Sequence, residues 1–389
     1  MIHRILIPLL LAIVLPEIYL DYHFLRKHFS HHPWWRLAWW VPTLIMTGYT
    51  LGLAELDSFA PTDVVWLKVY MGLFAFLSGP KFFFAACSFV GLGLQRLFRM
   101  RYNYGNVAGI LVGISVIVSY FYACVFGIRQ FEVRRVELQF KDLPASFNGY
   151  RIVLFSDAHV GTLRGRTRKL LQRNVDSINA QHPDLIAFTG DLQNLQPSEI
   201  RPYIRQLSQL KAKDGVWSVF GNHDYSFYIS APDYVKAINE LETRQIERMC
   251  GWRLLENTHS GIRRGQDSIV IAGEGNFGND IYPERANLKQ TLRGVNSKSF
   301  VVMLQHSPVA WHKDILPHSN VQLTLSGHTH GGQLSVFGIR PTALHGVPDF
   351  GLYREGDRML YVTSGSGALV PFRFNMPAEI VVITLKQKK

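Results

Sequence analysis

The chain has 389 residues, which is long for one domain and suggests two or three, and 47% of them are hydrophobic, a high share for a soluble enzyme. Its 41 Lys and Arg against 29 Asp and Glu give a formal net charge of +12, which suits an anionic partner: nucleic acid, anionic lipid or a phosphate substrate. The three cysteines include no C-x-x-C pair and are predicted to be small core or membrane residues.

The charged residues are unevenly distributed. Residues 1–128 hold nine Lys and Arg and five Asp and Glu, so the rest of the chain holds 32 and 24 and carries +8 of the total. Four apolar runs in the first part approach or exceed the ~20 residues of a membrane-spanning helix. They are residues 5–22, 39–56, 64–94 and 107–128. The sequence therefore predicts an α-helical transmembrane domain over residues 1–128.

Two of these runs contain unusual residues. The first run has two prolines and Glu17, but it lacks a small-residue cleavage site, so a first transmembrane helix is preferred to a signal peptide. The third run is long and contains GPK (79–81), which predicts a tilt or kink at Pro80, or else two re-entrant pieces. Lys81 either finds a partner inside the span and is functional, or extends its ammonium group to the interface.

Loop charge predicts the orientation. The loops after the first and third spans each contain three Lys or Arg, whereas the loop after the second contains Glu55, Asp57 and Asp63. Since positive loops stay in the cytoplasm, four spans place the large carboxy-terminal part outside the cytoplasm of a bacterial inner membrane. Arginines near the amino terminus and just after residue 128 oppose this orientation weakly, and one span fewer would reverse it.

From Gln130 the sequence becomes typical of a water-soluble domain. Residues 131–140 alternate as a half-buried strand should, and we assign residues 129–142 to a linker and first strand and residues 143–389 to a catalytic domain. Helices are predicted at about 167–180, 199–210 and 232–248. Five further apolar segments each end in polar residues: YRIVLFSD, PDLIAFTGD, GVWSVFGNHD, FVVMLQH and VQLTLSGHTH. Because ligands commonly bind beyond the carboxyl ends of strands in open α/β sheets, these ends are expected to form one site.

The polar residues at these strand ends suit a pair of metal ions. Each cluster alone is more simply explained as a turn or a structural histidine, but five clusters at five strand ends are not. Carboxylates, imidazoles and one amide without a thiolate favour Zn, Fe or Mn. Eight donors are too many for one tetrahedral ion, and they suit two divalent ions ~3.5–4 Å apart that share a carboxylate, polarise a phosphoryl oxygen and activate a bridging water as hydroxide.

The segment SGHTHGGQ (326–333) contributes two of these histidines. Side chains two residues apart in an extended segment point the same way, so His328 and His330 are expected to face one site together. The glycines that follow, Gly331 and Gly332, are expected to let the backbone turn and to leave room for metals or substrate.

In this order the motifs resemble those of the calcineurin-like metallophosphoesterase superfamily: D-x-H, G-D-x-x-[DN], G-N-H-[DE], H and G-H-x-H. The similarity extends over roughly residues 143–384, and GHTHGGQ with MPAEI near the end suggests the bacterial branch of membrane-linked and exported members. It implies an α/β fold, a four-layer α/β/β/α sandwich, here preceded by the transmembrane helices. The matching segments are SDAH (156–159), GDLQN (190–194), GNHD (221–224), LQHSP (304–308) and SGHTHGGQ (326–333).

The resemblance also implies a set of metal ligands around two divalent ions, which would be Mn, Fe or Zn. One carboxylate would bridge the ions, and three further residues would complete each of them. The ligands are Asp157, His159 and His330 at the first ion, Asn222, His306 and His328 at the second, and Asp191 between them.

Further residues would act on the substrate. By resemblance, His223 would face the scissile phosphate and assist the leaving oxygen as the catalytic histidine, with Asp224 orienting it and tuning its charge. Asn194 would contact the substrate. One segment departs from the pattern: where many relatives have an acidic pair, AGEGNFGND (272–280) places Glu274 and Asp280 in a glycine-rich loop. A substrate therefore cannot be transferred from a relative.

The function predicted is that of a membrane-anchored phosphoesterase that hydrolyses a phosphodiester or pyrophosphate bond in a lipid-linked or envelope substrate. An alternative is a UDP-2,3-diacylglucosamine pyrophosphohydrolase of lipid A synthesis, which requires a cytoplasmic catalytic domain. A second alternative is a non-catalytic membrane scaffold or sensor, which is disfavoured because no motif position is missing. A nuclease is disfavoured because the aromatic residues are not interleaved at base-stacking spacing.

Overall fold

The computed structural model describes residues 2–29, 32–56, 64–163, 165–278 and 283–388. Asp57, Asp63 and Asp280, which the sequence analysis singled out, lie outside these residues. The chain divides into two compact units, residues 1–124 and 125–389, and each is described by itself.

In the described part of the first unit and the start of the second, four helical stretches are long and apolar enough to cross a membrane, as predicted. No more than 28% of the most apolar part of each stretch is buried inside the protein, as expected for helices whose remaining surface contacts lipid tails. The spans are Leu6–Leu25, Pro33–Ala54, Val65–Leu97 and Gly105–Arg129.

The third span is one continuous helical stretch. It consists of helix Val64–Leu73, a wide π-helical turn Phe74–Ser78 and helix Gly79–Leu97. Pro80 lies in the first turn of the last segment, where the π-helical turn before it accommodates the missing N–H. The alternative of two re-entrant pieces is therefore wrong.

Lys81 has a partner inside the transmembrane unit. Its Nζ lies 2.6 Å from Oε2 of Glu17, whose side chain is fully buried. The Thr43 hydroxyl donates to the same carboxylate oxygen at 2.5 Å, and the ammonium lies 4.9 Å from the centre of the Trp39 ring. The ammonium is thus neutralised by a buried partner rather than extended to the interface, so the partner that the sequence analysis required of a lysine inside a span is present.

The second unit contains two mixed sheets, each of six strands in the described residues. The order in the first sheet is β1 (Phe131–Phe140), β12 (Ala378–Gln387), β2 (Arg151–Phe155), β3 (Leu185–Phe188), β4 (Val216–Ser218) and β5 (Arg253–Leu254). The order in the second is β10 (Gly351–Glu355), β11 (Arg358–Val362), β9 (Leu323–Ser326), β8 (Phe300–Leu304), β7 (Asp267–Gly273) and β6 (Thr258–Arg264).

The strand directions determine where the site can form. Strands β2 to β5 are parallel to one another, and so are β7, β8, β9 and β11. Strand β1 pairs with β12 in parallel along all ten of its residues, so it is an edge strand of the first sheet. Each sheet therefore gathers the carboxyl ends of several strands at one edge, where ligands commonly bind.

Helices cover both sheets, and the predicted α/β/β/α sandwich is confirmed. Side chains from both sheets fill the core between them. Helices Lys169–Asn179 and Asp233–Met249 pack on the outer face of the first sheet, and the turn Trp311–Ile315 packs on the outer face of the second. The helix predicted at 199–210 is wrong, because Pro202 lies within that range and only Ile204–Leu207 is α-helical.

Candidate active site

The predicted site residues lie in five loops, each of which follows a parallel strand. Three of the loops follow β2, β3 and β4 of the first sheet, and two follow β8 and β9 of the second. They carry Asp157 and His159; Asp191 and Asn194; Asn222, His223 and Asp224; His306; and His328 and His330. The prediction that these strand ends form one site is supported by the short distances among their side chains.

Seven of these side chains form three overlapping groups in the described residues. Within each group, one potential ligand atom per residue lies within 4.8 Å of the others. The groups are Asp157, His159 and His330; His159, Asp191 and His223; and Asp191, His306 and His328.

Asp191 belongs to two of the three groups. Its Oδ2 is 3.2 Å from Nε2 of His306 and 3.7 Å from Nε2 of His159. The corresponding distance to Nε2 of His223 is 4.0 Å, and Oδ1 accepts a hydrogen bond from the backbone N–H of that residue at 3.0 Å. One carboxylate thus faces the ligands of both predicted ions.

His328 and His330 do not face one point, in contrast to the expectation for an extended segment. Both have left-handed backbones, with φ of 76° and 53°, so their rings diverge. His330 Nε2 lies 3.1 Å from Nε2 of His159 and 3.4 Å from Oδ1 of Asp157. His328 Nδ1 instead lies 3.2 Å from Nε2 of His306. The two histidines therefore serve separate groups, in agreement with their assignment to different ions.

The glycines after His330 let the backbone turn tightly, as expected. Gly331 has φ of +55°, and a Cβ at this position would collide with the side chain of Met376, which belongs to the MPAEI segment. Gly332 also has a left-handed backbone, with φ of +70°. Both glycines therefore permit a tight turn, and Gly331 also permits close packing on Met376. The idea that they leave room for metals or substrate is wrong for Gly331.

Hydrogen bonds on the outer side of the site orient the ligands. The Nδ1 of His306 bonds to the carbonyl oxygen of Thr189 at 2.6 Å, which turns Nε2 inward. The Nδ2 of Asn222 donates to the hydroxyl of Tyr228, and this leaves Oδ1 facing His306 Nε2 at 3.1 Å. The sequence analysis did not predict either of these hydrogen-bond partners, Thr189 and Tyr228. Thr189 acts through its backbone and gives no side-chain signal, whereas Tyr228 is an aromatic residue four positions after GNHD.

Asp224 is a correction to the sequence prediction. Its carboxylate accepts hydrogen bonds from the backbone N–H groups of Asp191 at 2.7 Å, Gly221 at 2.8 Å and Leu192 at 2.9 Å. The ring of His223 is instead oriented by the carbonyl oxygen of Asn194, which lies 2.5 Å from Nδ1. Asp224 therefore holds the loops after β3 and β4 together, because backbone donors occupy both of its oxygens.

The electrostatics of the site suit metal binding. Burial and neighbouring imidazoles lower the pKa of both His159 and His328 to about 3, and burial lowers that of His330 well below its usual value. Burial also lowers the pKa of His306, but the carboxylate of Asp191 outweighs this effect and raises it to about 9. Three of the four histidines that are proposed as metal ligands are therefore neutral at pH 7, which is the form that binds a metal. The donor set therefore fits divalent ions.

Asn194, which was expected to contact the substrate, and Glu274, which belongs to the segment that departs from the family pattern, are both buried. Asn194 donates from Nδ2 to Thr162 Oγ1 at 2.8 Å, and its Oδ1 has no hydrogen-bond partner among the described residues. Glu274 is fully buried, accepts a hydrogen bond from Gln305 at 2.9 Å, and has its pKa raised to about 7 by burial. Glu274 thus supports the residue before His306 and is not displayed to a substrate.

Comparison with known proteins is consistent with both units. Residues 3–128 match the family described as "Probable Calcineurin-like phosphoesterase, transmembrane domain", and residues 150–332 match "Calcineurin-like phosphoesterase". An uncharacterized metallophosphoesterase of Campylobacter jejuni is 30% identical over 315 residues, which are 78% of this chain and 77% of that protein. The chain belongs to the calcineurin-like phosphoesterase family.

The name of a second relative includes both a transmembrane protein and a metallophosphoesterase domain. "Transmembrane protein with metallophosphoesterase domain" of Danio rerio is 33% identical over 261 residues, which are 65% of this chain. The aligned part spans only 56% of the length of that relative. Among solved structures, the protein TT1561 of Thermus thermophilus matches with a TM-score of 0.36 and 15% identity, over 57% of this chain and 91% of that one.

Proposed function

We propose that this member of the calcineurin-like phosphoesterase family binds two divalent metal ions and hydrolyses a phosphodiester or pyrophosphate bond in a lipid-linked or envelope substrate. The position of Asp191 carries the proposal, since its Oδ2 lies within 3.7 Å of both His306 and His159, which belong to different ligand groups. When bound, two ions supply charge stabilisation for the phosphoryl group and a nucleophile at neutral pH.

The chain's own residues position that chemistry. Asp157 and His330 would hold the first ion together with His159, and His306 and His328 would hold the second together with Asn222. Each of these two proposed ligand sets combines residues from loops of both sheets, so the relative position of the sheets would set the separation of the ions.

His223 is proposed to act on the substrate rather than as a primary ligand. Its Nε2 is farther from Asp191 Oδ2, at 4.0 Å, than the Nε2 of His306, at 3.2 Å. Its ring stacks on Tyr228 with 4.1 Å between the ring centres, and Nδ1 is held by a backbone carbonyl group. The ring orientation is therefore fixed, and in the proposed role Nε2 would assist the leaving oxygen of the bound substrate.

Metal content and turnover of paired variants test these roles. In the full-length protein in detergent with Mn²⁺, His223→Ala should retain its metal content but lose roughly 10²–10⁴-fold in kcat on bis(p-nitrophenyl) phosphate. His330→Ala should lose metal as well as activity. The matched control is His318→Ala, which removes an exposed histidine outside the site. Unchanged turnover in His223→Ala would reject its role, and full metal occupancy in His330→Ala would reject the ligand assignment.

The lipid-linked or envelope substrate and the orientation are separate parts of the proposal. Four membrane spans hold the enzyme at a lipid surface, and the +8 charge of residues 129–389 favours anionic substrates there. We place the catalytic unit outside the cytoplasm of a bacterial inner membrane. Reporters fused after residue 389 test this: periplasmic activity agrees with it, whereas cytoplasmic activity would overturn it and favour a nucleotide-lipid pyrophosphatase.

A further inference from the structure

The segment between the active-site turn and strand β10 presents an apolar surface to solvent. Phe337 is 99% exposed, Leu344 78% and Ile339 63%, and Val336 and Val347 nearby are also exposed. Single exposed apolar residues are ordinary, but five within twelve residues form a cluster of the kind that marks an interaction site.

The tip of this segment exposes the aromatic ring of Phe337 to solvent, which is unfavourable for a large apolar side chain. Val336 and Ile339 exchange two backbone hydrogen bonds of 3.0 and 2.9 Å, which close a hairpin around Phe337 and Gly338. The two central residues have φ of 51° and 81°, as in a type I′ turn. Asn or Gly is preferred at the first of these positions, so a bulky phenylalanine in a left-handed conformation at a fully exposed tip indicates a partner for its ring.

The segment is attached firmly to the active site. Asp349 accepts two hydrogen bonds from the guanidinium group of Arg340, at 2.7 and 3.0 Å, and one from the hydroxyl of Thr342 at 2.9 Å. The hydroxyl of Thr329, which lies between the two metal-site histidines, donates to the backbone carbonyl of Asp349 at 2.5 Å. The segment that carries the hairpin is therefore joined through Asp349 to the turn that carries His328 and His330.

The chemistry of the segment fits a lipid surface. Residues 331–348 contain one arginine, one histidine and no acidic residue, and the next acid along the chain, Asp349, is paired with that arginine. No acidic side chain of this segment would be brought against anionic headgroups. The chain also has four candidate membrane spans, so a bilayer is present wherever the protein is.

We propose that residues 334–349, with Phe337 at the tip, insert their apolar side chains into the bilayer surface and so hold the active site at the level of lipid headgroups. This inference deepens the proposed function and rests on it for the nature of the substrate. It adds a membrane-docking surface and explains how a phosphate ester embedded in the membrane would reach the metal ligands.

Site-specific fluorescence in nanodiscs tests the docking. The full-length protein, with its three cysteines replaced by serine, carries Phe337→Cys or the control Met249→Cys, each labelled with bimane. Met249 is 66% exposed and apolar, and it ends the helix Asp233–Met249 on another part of the unit. In nanodiscs of phosphatidylglycerol and phosphatidylcholine, doxyl-labelled lipid should quench the label at 337 by half or more and leave the label at 249 nearly unchanged.

Two outcomes would overturn docking. Quenching of the 337 label by aqueous iodide to the same extent as the 249 label would show that the tip stays in water. Protection of the 337 label from both iodide and doxyl lipid would show that protein covers it. Turnover of soluble bis(p-nitrophenyl) phosphate is measured in parallel for the wild-type protein and for Phe337→Asn. Asparagine suits the left-handed turn, so the rate of this variant is expected to lie within twofold of the wild-type rate. A wild-type protein without that turnover would contradict the proposed function, whatever the quenching shows.

Discussion

Replacement of Asp224 by asparagine tests how the GNHD loop works. The carboxylate accepts three short backbone hydrogen bonds, two at Oδ2 from Asp191 and Gly221 and one at Oδ1 from Leu192. An asparagine has nearly the same shape, but one of its two terminal atoms is a donor that faces another donor. Asp224→Asn therefore keeps the packing and removes one side of the connection between the loops after β3 and β4.

The loss of stability in Asp224→Asn follows from the hydrogen-bond donors that lose their acceptor. If the amide oxygen keeps the bonds to Asp191 and Gly221, then the N–H of Leu192 and the new NH₂ group are both buried without a partner. Each such donor costs about 1–3 kcal/mol, which gives ~2–6 kcal/mol for the substitution. For a unit of this size that corresponds to a fall in Tm of about 5–20 °C. Asp191 moves with its loop, so metal occupancy should fall as well.

The assay separates this structural role from a direct effect on His223, the histidine proposed to act on the substrate. Thermal unfolding, metal content and the pH dependence of kcat are measured for Asp224→Asn and for the control Asp176→Asn, whose exposed carboxylate accepts from the side chain of Gln172. We expect lower Tm and metal content with an unchanged pH profile in the residual activity. If Asp224→Asn has a normal Tm and metal content but a shifted pH dependence of kcat, the reasoning is refuted. Asp224 would then tune the protonation of His223, as the sequence analysis predicted.

Three further predictions concern buried charges. Lys81→Met leaves the carboxylate of Glu17 buried without its cation and should lower the Tm of the detergent-solubilised protein, while the double variant with Glu17→Gln should recover most of the loss. Arg373→Met removes a buried guanidinium group that donates to five backbone carbonyls beside the Asp157 ligand group, so metal titration should show weaker binding. Burial raises the pKa of Glu247 well above 4.5, so the folded state retains a proton that the unfolded chain releases. Its contribution to stability is full below about pH 4.5 and is lost as the pH rises, and Glu247→Gln should therefore raise Tm at pH 8 more than at pH 5.

The sequence predicted the location of the site because that location depends on chain direction and residue type. Apolar segments that each end in Asp, Asn or His are readable as buried strands, and parallel strands bring their carboxyl ends to one edge. Asp157, Asp191 and His306 were found in this way, and so were the membrane spans, whose length and apolar composition suffice to identify them. The layers of the sandwich followed from the family resemblance.

The features that the sequence did not predict depend on backbone conformation and on distant partners. The divergence of His328 and His330 follows from φ values that residue type does not specify. Asp224 was assigned to the nearest histidine because sequence reasoning could not show that backbone N–H groups occupy its oxygens. Glu17, the partner of Lys81, lies 64 residues away in another helix, and no local pattern links the two.

The glycines of the motifs explain why the ligands depend on one another. A Cβ at Gly221 would collide with the carboxylate of Asp191, and a Cβ at Gly327 would collide with that of Asp157. Neither glycine has a left-handed backbone, so each is required for space and not for conformation. In both cases the missing side chain lets the loop after one strand pack against a carboxylate from the loop after another. The site is therefore held by contacts between loops, and an alanine at either glycine would displace a proposed metal ligand, although neither glycine has a side chain that could bind a metal.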